Sequence, residues 1–262
     1  MKKQESGQCS QTVRGISLMR AASRARQALI WAVAVSVLLL IVPHWLPALA
    51  WLAWPQVLAG TLVHELGHGL TAMVTGGSFE SLKLYLDGSG VAYTRSPDSD
   101  WLRAAIAAGG LFGPPLAGAA LFAAACDARM ARATLALISL LLLLAMLLWV
   151  RNGFGWVWVA LCMASTGWVA WRTSALANQA FTCFLAVQAC LASFARSDYL
   201  FAATATTGAG EMASDTAQIG ALLGGPHWFW GGLLWLLSLA TILMGGWMFL
   251  RALRLDSSLD AK

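Results

Sequence analysis

Two histidines and a glutamate lie close together in an apolar part of the chain, in the order His64-Glu65-Leu66-Gly67-His68. Histidines four residues apart on a helix lie on one face, so both imidazoles can bind one metal ion. Zinc accepts imidazole nitrogen well, and a catalytic zinc site uses three protein ligands and a water molecule. The spacing therefore predicts that His64 and His68 are zinc ligands.

Glu65 is the candidate catalytic residue of this motif. It is rotated about 100° around the helix from His64, so it can approach a zinc-activated water without binding the metal. There it can take the proton of the water during attack on a peptide carbonyl. The alternative is a polar cluster that only holds helices together, but ionisable groups inside a membrane span are costly and indicate function.

A third ligand has to come from another part of the chain, and a carboxylate is the natural choice. Asp198 and Asp215 flank a polar interval before the last apolar segment, and the sequence favours neither over the other. Glu211 is a weaker candidate. The remaining histidines, His44 and His227, each follow a proline and are expected at the membrane interface. Three further acidic residues are typical of turns and loops: Asp87, Asp98 and Asp100.

The composition indicates a membrane protein. Apolar residues make up 59% of the 262 residues and charged residues 11%, against about 25% charged residues in soluble domains. The 14 tryptophans suit the interface between headgroups and hydrocarbon. No basic face with aromatic platforms is present, which excludes a nucleic-acid partner. None of the five cysteines forms a CxxC pair, so we expect buried free thiols.

Apolar segments bounded by charges predict an all-α polytopic membrane protein with about seven transmembrane helices. We expect a basic cytoplasmic tail at 1–27, a single transmembrane metalloprotease-like domain at 28–250 with a polar interval at 196–226, and a C-terminal tail at 251–262. The seven predicted spans are 28–42, 48–75, 104–126, 133–150, 152–171, 173–195 and 228–250.

One segment has a different character. Apolar and polar residues alternate on both sides of Asp87-Gly88, which predicts one short β-hairpin at 78–96, after the motif helix. Six of the 17 basic residues precede position 27. A cytoplasmic N-terminus therefore satisfies the positive-inside rule, and an alternating topology places the hairpin on the same side, toward which the motif helix runs. On that side, either Asp198 or Asp215 can reach the metal.

These residues resemble the site-2 protease family of intramembrane zinc metalloproteases, in particular its compact branch without a PDZ domain. Four segments carry the resemblance, in the order and rough spacing of the family. They cover a little under a third of the chain: VHELGHGLTAMVTGG at 63–77, LDGSG at 86–90, AAGGLFGPPLAGAALF at 107–122 and SDTAQIGALLGGPHWFWGGLLWLLS at 214–238. The NxxPxxxLDG segment of better-studied members is absent.

The resemblance implies that His64, His68 and a later aspartate bind zinc and that Glu65 is the general base. Asp215 stands in a Ser-Asp-Thr where the branch has a similar Ser-Asp-Ala, and Asp198 is the alternative third ligand. The resemblance also implies close helix packing at four glycines, which a generic stripe of small residues explains as well: Gly109, Gly110, Gly113 and Gly118.

The leading interpretation is an intramembrane zinc metalloprotease that hydrolyses a peptide bond in or near a transmembrane helix of another membrane protein. We expect it in the bilayer of the bacterial inner (plasma) membrane. The alternatives are a metal-binding but non-proteolytic binding or assembly factor, which an intact Glu65 argues against, and an ion transporter, for which no internal repeat is visible. The oligomeric state and the substrate are not readable.

Overall fold

The computed structural model describes residues 23–39, 41–42, 45–195 and 200–258. Within these residues, five helices are long and apolar enough to cross a membrane. Each coincides with a predicted span, because runs of apolar residues bounded by charges form helices in lipid, where every backbone group needs a partner. They are α3 (Asp100–Ala125), α4 (Ala128–Leu148), α5 (Gly153–Arg172), α6 (Ala175–Ala195) and α8 (His227–Ser258).

The other two predicted spans do not correspond to any of these five helices. The motif segment forms the helix α2 (Trp54–Val74), but it is not among the five apolar helices. Its histidines, glycines and threonines lower its hydropathy. The first predicted span corresponds to α1, the helical residues 23–39, followed by a short 3-10 helix at Pro47–Ala53. Because parts of this region lie outside the described residues, the number seven stays a prediction.

The predicted hairpin is present. The strands β1 (Ser78–Leu84) and β2 (Gly90–Arg95) pair antiparallel around the Asp87-Gly88 turn. The outer edge of β1 is also occupied, because Leu82 exchanges backbone hydrogen bonds with Trp149 and Arg151 in the α4–α5 connection.

A second hairpin corrects the expectation of a single one. The strands β3 (Thr204–Thr207) and β4 (Gly210–Ala213) pair antiparallel inside the predicted polar interval at 196–226. The signal was a run of β-branched threonines followed by Gly-Ala-Gly, which is typical of a strand and a tight turn. The short helix α7 (Asp215–Leu223) follows directly.

The helices pack with α3 at the centre, in contact with α2, α6, α7 and α8. One core cluster joins Ala25 and Ala28 of α1 to Ala125 at the end of α3 and Phe249 near the end of α8. The start of α1 therefore lies at the end of the bundle opposite to the start of α3, which follows the base of the first hairpin. This packing places the start of α1 and the hairpin base at opposite ends of the bundle, whereas the topology predicted from the sequence puts the segment before α1 and the hairpin on one side.

Candidate metal centre

The two motif histidines lie one turn apart on the same face of α2, as the spacing predicts. Their Nε2 atoms are 3.1 Å apart, and the planes of the two rings are nearly perpendicular, at 89°. Both rings are largely shielded from solvent, with 19% and 12% of the side chains exposed. Two imidazole nitrogens therefore point at one shared position beside the helix.

Asp215 is the acidic residue that the structure brings to this position. Its Oδ2 lies 3.2 Å from Nε2 of His64 and 3.4 Å from Nε2 of His68, and the residue is buried. Its carboxylate oxygen is therefore directed at the same position as the two imidazole nitrogens.

The three donor groups fit a zinc ion in both chemistry and spacing. Ligands at the 2.0–2.1 Å distances of a tetrahedral zinc site lie about 3.3 Å from one another, and the three separations here are 3.1, 3.2 and 3.4 Å. Two histidines and a carboxylate also leave the fourth position of such a site open, as catalytic zinc sites require. Among the described residues, these are the ones that form such a cluster.

A backbone carbonyl fixes the orientation of His68. Nδ1 of its ring lies 2.8 Å from the carbonyl oxygen of Ile106 in α3. Because a carbonyl only accepts hydrogen bonds, Nδ1 carries the proton and Nε2 presents its lone pair to the shared position. A metal-binding histidine is commonly held in this way by its second nitrogen.

Close contact between α2 and α3 makes this hydrogen bond possible. A methyl group at Gly110 would overlap the ring of His68, and one at Gly67 would overlap the carbonyl oxygen of Gly109. Gly113 lies against Gly67 in the same contact, whereas Gly118 packs against Cys190 in α6. The glycines of α3 therefore let its backbone approach the metal centre as well as its neighbouring helices.

Glu65 is buried between α2 and the first hairpin, which folds back along the helix. The indole of Trp54 donates to the carbonyl of Leu86, and the hydroxyl of Thr61 donates to that of Gly88. Further along, the backbone N–H of Ala92 donates to Oε2 of Glu65 at 2.7 Å. The hairpin therefore holds the carboxylate beside the histidines.

A cavity of about 220 Å³ opens next to these groups. His64 and Glu65 line one part of it, α1 and α6 line other parts, and β3 covers it. The arrangement combines a three-donor metal position, an adjacent carboxylate and room for part of another molecule.

Of the remaining acidic and histidine candidates, five lie outside the three-residue cluster and two are not described by the structure. Asp198 and His44 lie outside the described residues. Glu211 is exposed on β4, Asp87 bonds within the hairpin turn, and His227 bonds to the carbonyl of Phe201. Asp98 and Asp100 form exposed ion pairs with Arg103.

Sequence reasoning missed three groups that support the centre. The Ile106 carbonyl and the Ala92 amide are backbone groups, so no side-chain pattern can reveal them. Ser214 caps α7 by accepting from the N–H of Ala217, and it also donates to the carbonyl of Ala202. Its signal was present, because serine is a preferred residue directly before a helix.

The fold and the site define a polytopic integral membrane protein whose apolar bundle encloses a two-histidine, one-aspartate cluster. The family model of the Peptidase M50B-like proteins matches residues 29–245. The chain belongs to this family, which is the compact branch of the site-2 proteases and therefore a family of metalloproteases. No protein with a curated description and no solved structure matches the chain.

Proposed function

We propose that the protein is an intramembrane zinc metalloprotease that hydrolyses peptide bonds in or near transmembrane segments of other membrane proteins. The observation that carries this proposal is the convergence of His64, His68 and Asp215 on one position, with Glu65 beside it. The apolar helices and the family support an integral membrane location, which we propose to be the bacterial inner membrane.

Each residue has a role in this reaction. His64, His68 and Asp215 hold the ion, with the ring of His68 fixed by Ile106. Zinc, when bound, acidifies a water molecule and polarises a carbonyl group. Glu65 accepts the proton of the attacking water and delivers it to the leaving nitrogen. The N–H of Ala92 orients the Glu65 carboxylate for this transfer.

The substrate has to be unwound locally, because the peptide bonds of an intact transmembrane helix are satisfied and shielded. The first hairpin supports such a conformation, since an extended segment can add to a strand through backbone hydrogen bonds. The outer edge of β1 is already paired with the α4–α5 connection. We therefore assign substrate docking to β2. The N–H of Ala92 on its outer edge already binds Glu65, so a docked segment would use the neighbouring backbone groups of this edge and lie beside the base.

The test measures zinc content and peptide cleavage in the same detergent-purified samples. Glu65→Gln keeps the shape and the three donor groups but removes the base. We expect it to retain zinc and to lose roughly 10²- to 10⁴-fold in cleavage rate of a transmembrane peptide. The matched control is Glu80→Gln in the exposed part of β1, which should behave like the wild type in both assays.

Equal cleavage rates for the wild type and Glu65→Gln at full zinc occupancy would rule out the proteolytic mechanism. The non-proteolytic binding or assembly factor would then be the better interpretation. Zinc flux through reconstituted vesicles, without cleavage, would instead favour the transporter.

A further inference from the structure

The second hairpin forms the roof of the cavity beside the metal centre. Side chains alternate along a strand, and Ala205 and Thr207 of β3 are the ones that line the cavity. Ala205 is buried, whereas Thr204, Thr206 and all four residues of β4 point outward or are only partly covered. One face of a small, otherwise exposed hairpin therefore closes the site.

The tip of this roof is fastened to the turn of the first hairpin. The backbone N–H of Gly208 donates to Oγ of Ser89 at 2.9 Å. The hydroxyl and the backbone N–H of Ser89 both donate to one oxygen of Asp87, at 2.6 and 2.9 Å. This leaves a lone pair of the hydroxyl directed at Gly208. A side chain at position 208 would overlap the ring of Tyr85, so only glycine fits there.

The base of the roof is anchored separately. Ser214 donates its backbone N–H to the carbonyl of Ala203 at 3.0 Å and its hydroxyl to that of Ala202 at 2.7 Å. Ser214 is fully buried and directly precedes Asp215. The tip can therefore move away from Ser89 while the base keeps Asp215 in place.

The cavity beneath the roof is lined mainly by apolar surface, and several of its polar residues away from the metal centre already have partners. The exception is the buried Oε1 of Gln56, which has no hydrogen-bond partner among the described residues. Thr61 has its hydroxyl bonded to Gly88, Ser89 is bonded to Asp87, and Gln188 donates to Ser36. Buried polar groups that are already paired gain little from a ligand. An apolar cavity of about 150 Å³ holds a benzene ring, so about 220 Å³ accommodates a large apolar side chain.

We propose that the second hairpin is a specificity element that selects a large apolar side chain of the substrate, such as leucine or phenylalanine, next to the cleaved bond. Ala205 sets the depth of the pocket. Asp87 and Ser89 act as positioning residues, because they hold the roof at that depth. This inference rests on the proposed proteolytic function.

The first test narrows the pocket. Ala205→Leu places a larger side chain inside the cavity, and Thr206→Leu places the same side chain on the outer face as a control. The substrates are two transmembrane peptides, with leucine or alanine next to a cleavage site mapped by mass spectrometry. Ala205→Leu should lower kcat/KM for the leucine peptide at least tenfold and spare the alanine peptide, while Thr206→Leu should spare both.

The second test needs no catalysis. A single cysteine is introduced as Ala205→Cys in a Glu65→Gln background from which the native cysteines have been removed, and its reaction with N-ethylmaleimide is timed. Ser89→Ala should accelerate labelling several-fold, because the tip is released. Adding the leucine peptide should slow labelling more than adding the alanine peptide. The exposed control Thr206→Cys should react at one rate in every condition.

The outcomes separate the two claims. One outcome is that the wild type shows no cleavage while labelling still depends on Ser89 and the leucine peptide still protects selectively. That result would rule out the proteolytic function and support the pocket. If Ala205→Leu changes kcat/KM by the same factor for both peptides, the pocket is ruled out and the proteolytic function is retained. If Ala205→Leu does not fold, the labelling experiment decides alone, and unchanged labelling in Ser89→Ala overturns the inference.

Discussion

At the scale of single residues, the metal centre needs one carboxylate in addition to two imidazoles to supply three donor atoms. His64 and His68 come from one helix and are positioned by its periodicity. Asp215 comes from a helix about 150 residues later in the chain. Because a carboxylate contributes charge as well as a donor atom, Asp215 would also offset the charge of a bound divalent ion in this buried setting.

Asp215→Asn should therefore release the metal. The amide keeps the size of the side chain but removes its negative charge, so we expect a loss of zinc affinity beyond the 10- to 100-fold that removal of a supporting group causes. Competition with a chromogenic chelator measures this loss. Asp198→Asn is the matched variant, because Asp198 is the other sequence-based candidate. Loss of zinc in Asp198→Asn with retention in Asp215→Asn would reverse the assignment.

At the scale of elements, the approach of α3 to α2 positions His68. A methyl group at Gly110 would occupy the space of the imidazole ring, so Gly110→Ala should displace the ring from the Ile106 carbonyl. We expect zinc affinity to fall roughly 10- to 100-fold, read by the same chelator competition. Gly246→Ala in α8 makes the same exchange at a position where the added methyl group would have no atom within 4 Å beyond the local helix backbone. This variant should leave the zinc affinity unchanged.

The helix that carries Asp215 depends on its cap. Ser214→Ala removes the cap of α7 and a buried hydrogen bond, which should lower the free energy of unfolding by about 0.5–2 kcal/mol and weaken zinc binding. Asp127 caps α4 in a similar way, far from the centre. Asp127→Ala should lower stability by a comparable amount, measured by thermal unfolding in detergent, without changing zinc affinity. Equal effects of the two variants on zinc would contradict a role for Ser214 in positioning Asp215.

The sequence predicts some elements well for a physical reason. Hydropathy over 20 residues and a spacing of four residues are local properties, so the apolar helices, the first hairpin and the pairing of His64 with His68 could be derived from local pattern. The choice between Asp198 and Asp215 could not, since it depends on how α3, α7 and α8 pack. The second hairpin was missed because its strands have only four residues each, and six of these eight residues are exposed, so no face of alternating apolar residues marks them.

At the scale of the whole molecule, charge is distributed unevenly between the two ends of the bundle. The end with the start of α1 also has the end of α3, and Gln179 near the start of α6 donates to the Ala125 carbonyl there. Basic residues of the described chain that lie at this end are Arg24, Arg26, Arg129, Arg132, Arg172 and Arg251. The first hairpin, the start of α3 and the α4–α5 connection, toward the other end, have four basic residues: Lys83, Arg95, Arg103 and Arg151.

The positive-inside rule then favours a cytoplasmic location for the first end. In this orientation the start of α1 and the basic end of α8 would both face the cytoplasm, and a cytoplasmic N-terminus stays a prediction. The base of the first hairpin would face outward, so α2 would run away from the cytoplasm instead of toward it.

Single cysteines at the two ends of α3 test this topology, in a chain from which the native cysteines have been removed. Asp98→Cys lies before α3 and Met130→Cys lies just after it, and both side chains are exposed. An impermeant maleimide added to intact cells should label Asp98→Cys, and it should reach Met130→Cys only after lysis. The reverse pattern would place the hairpin base in the cytoplasm. Labelling of both in intact cells would contradict a membrane crossing by α3, and with it the enclosure of the metal centre in the bilayer.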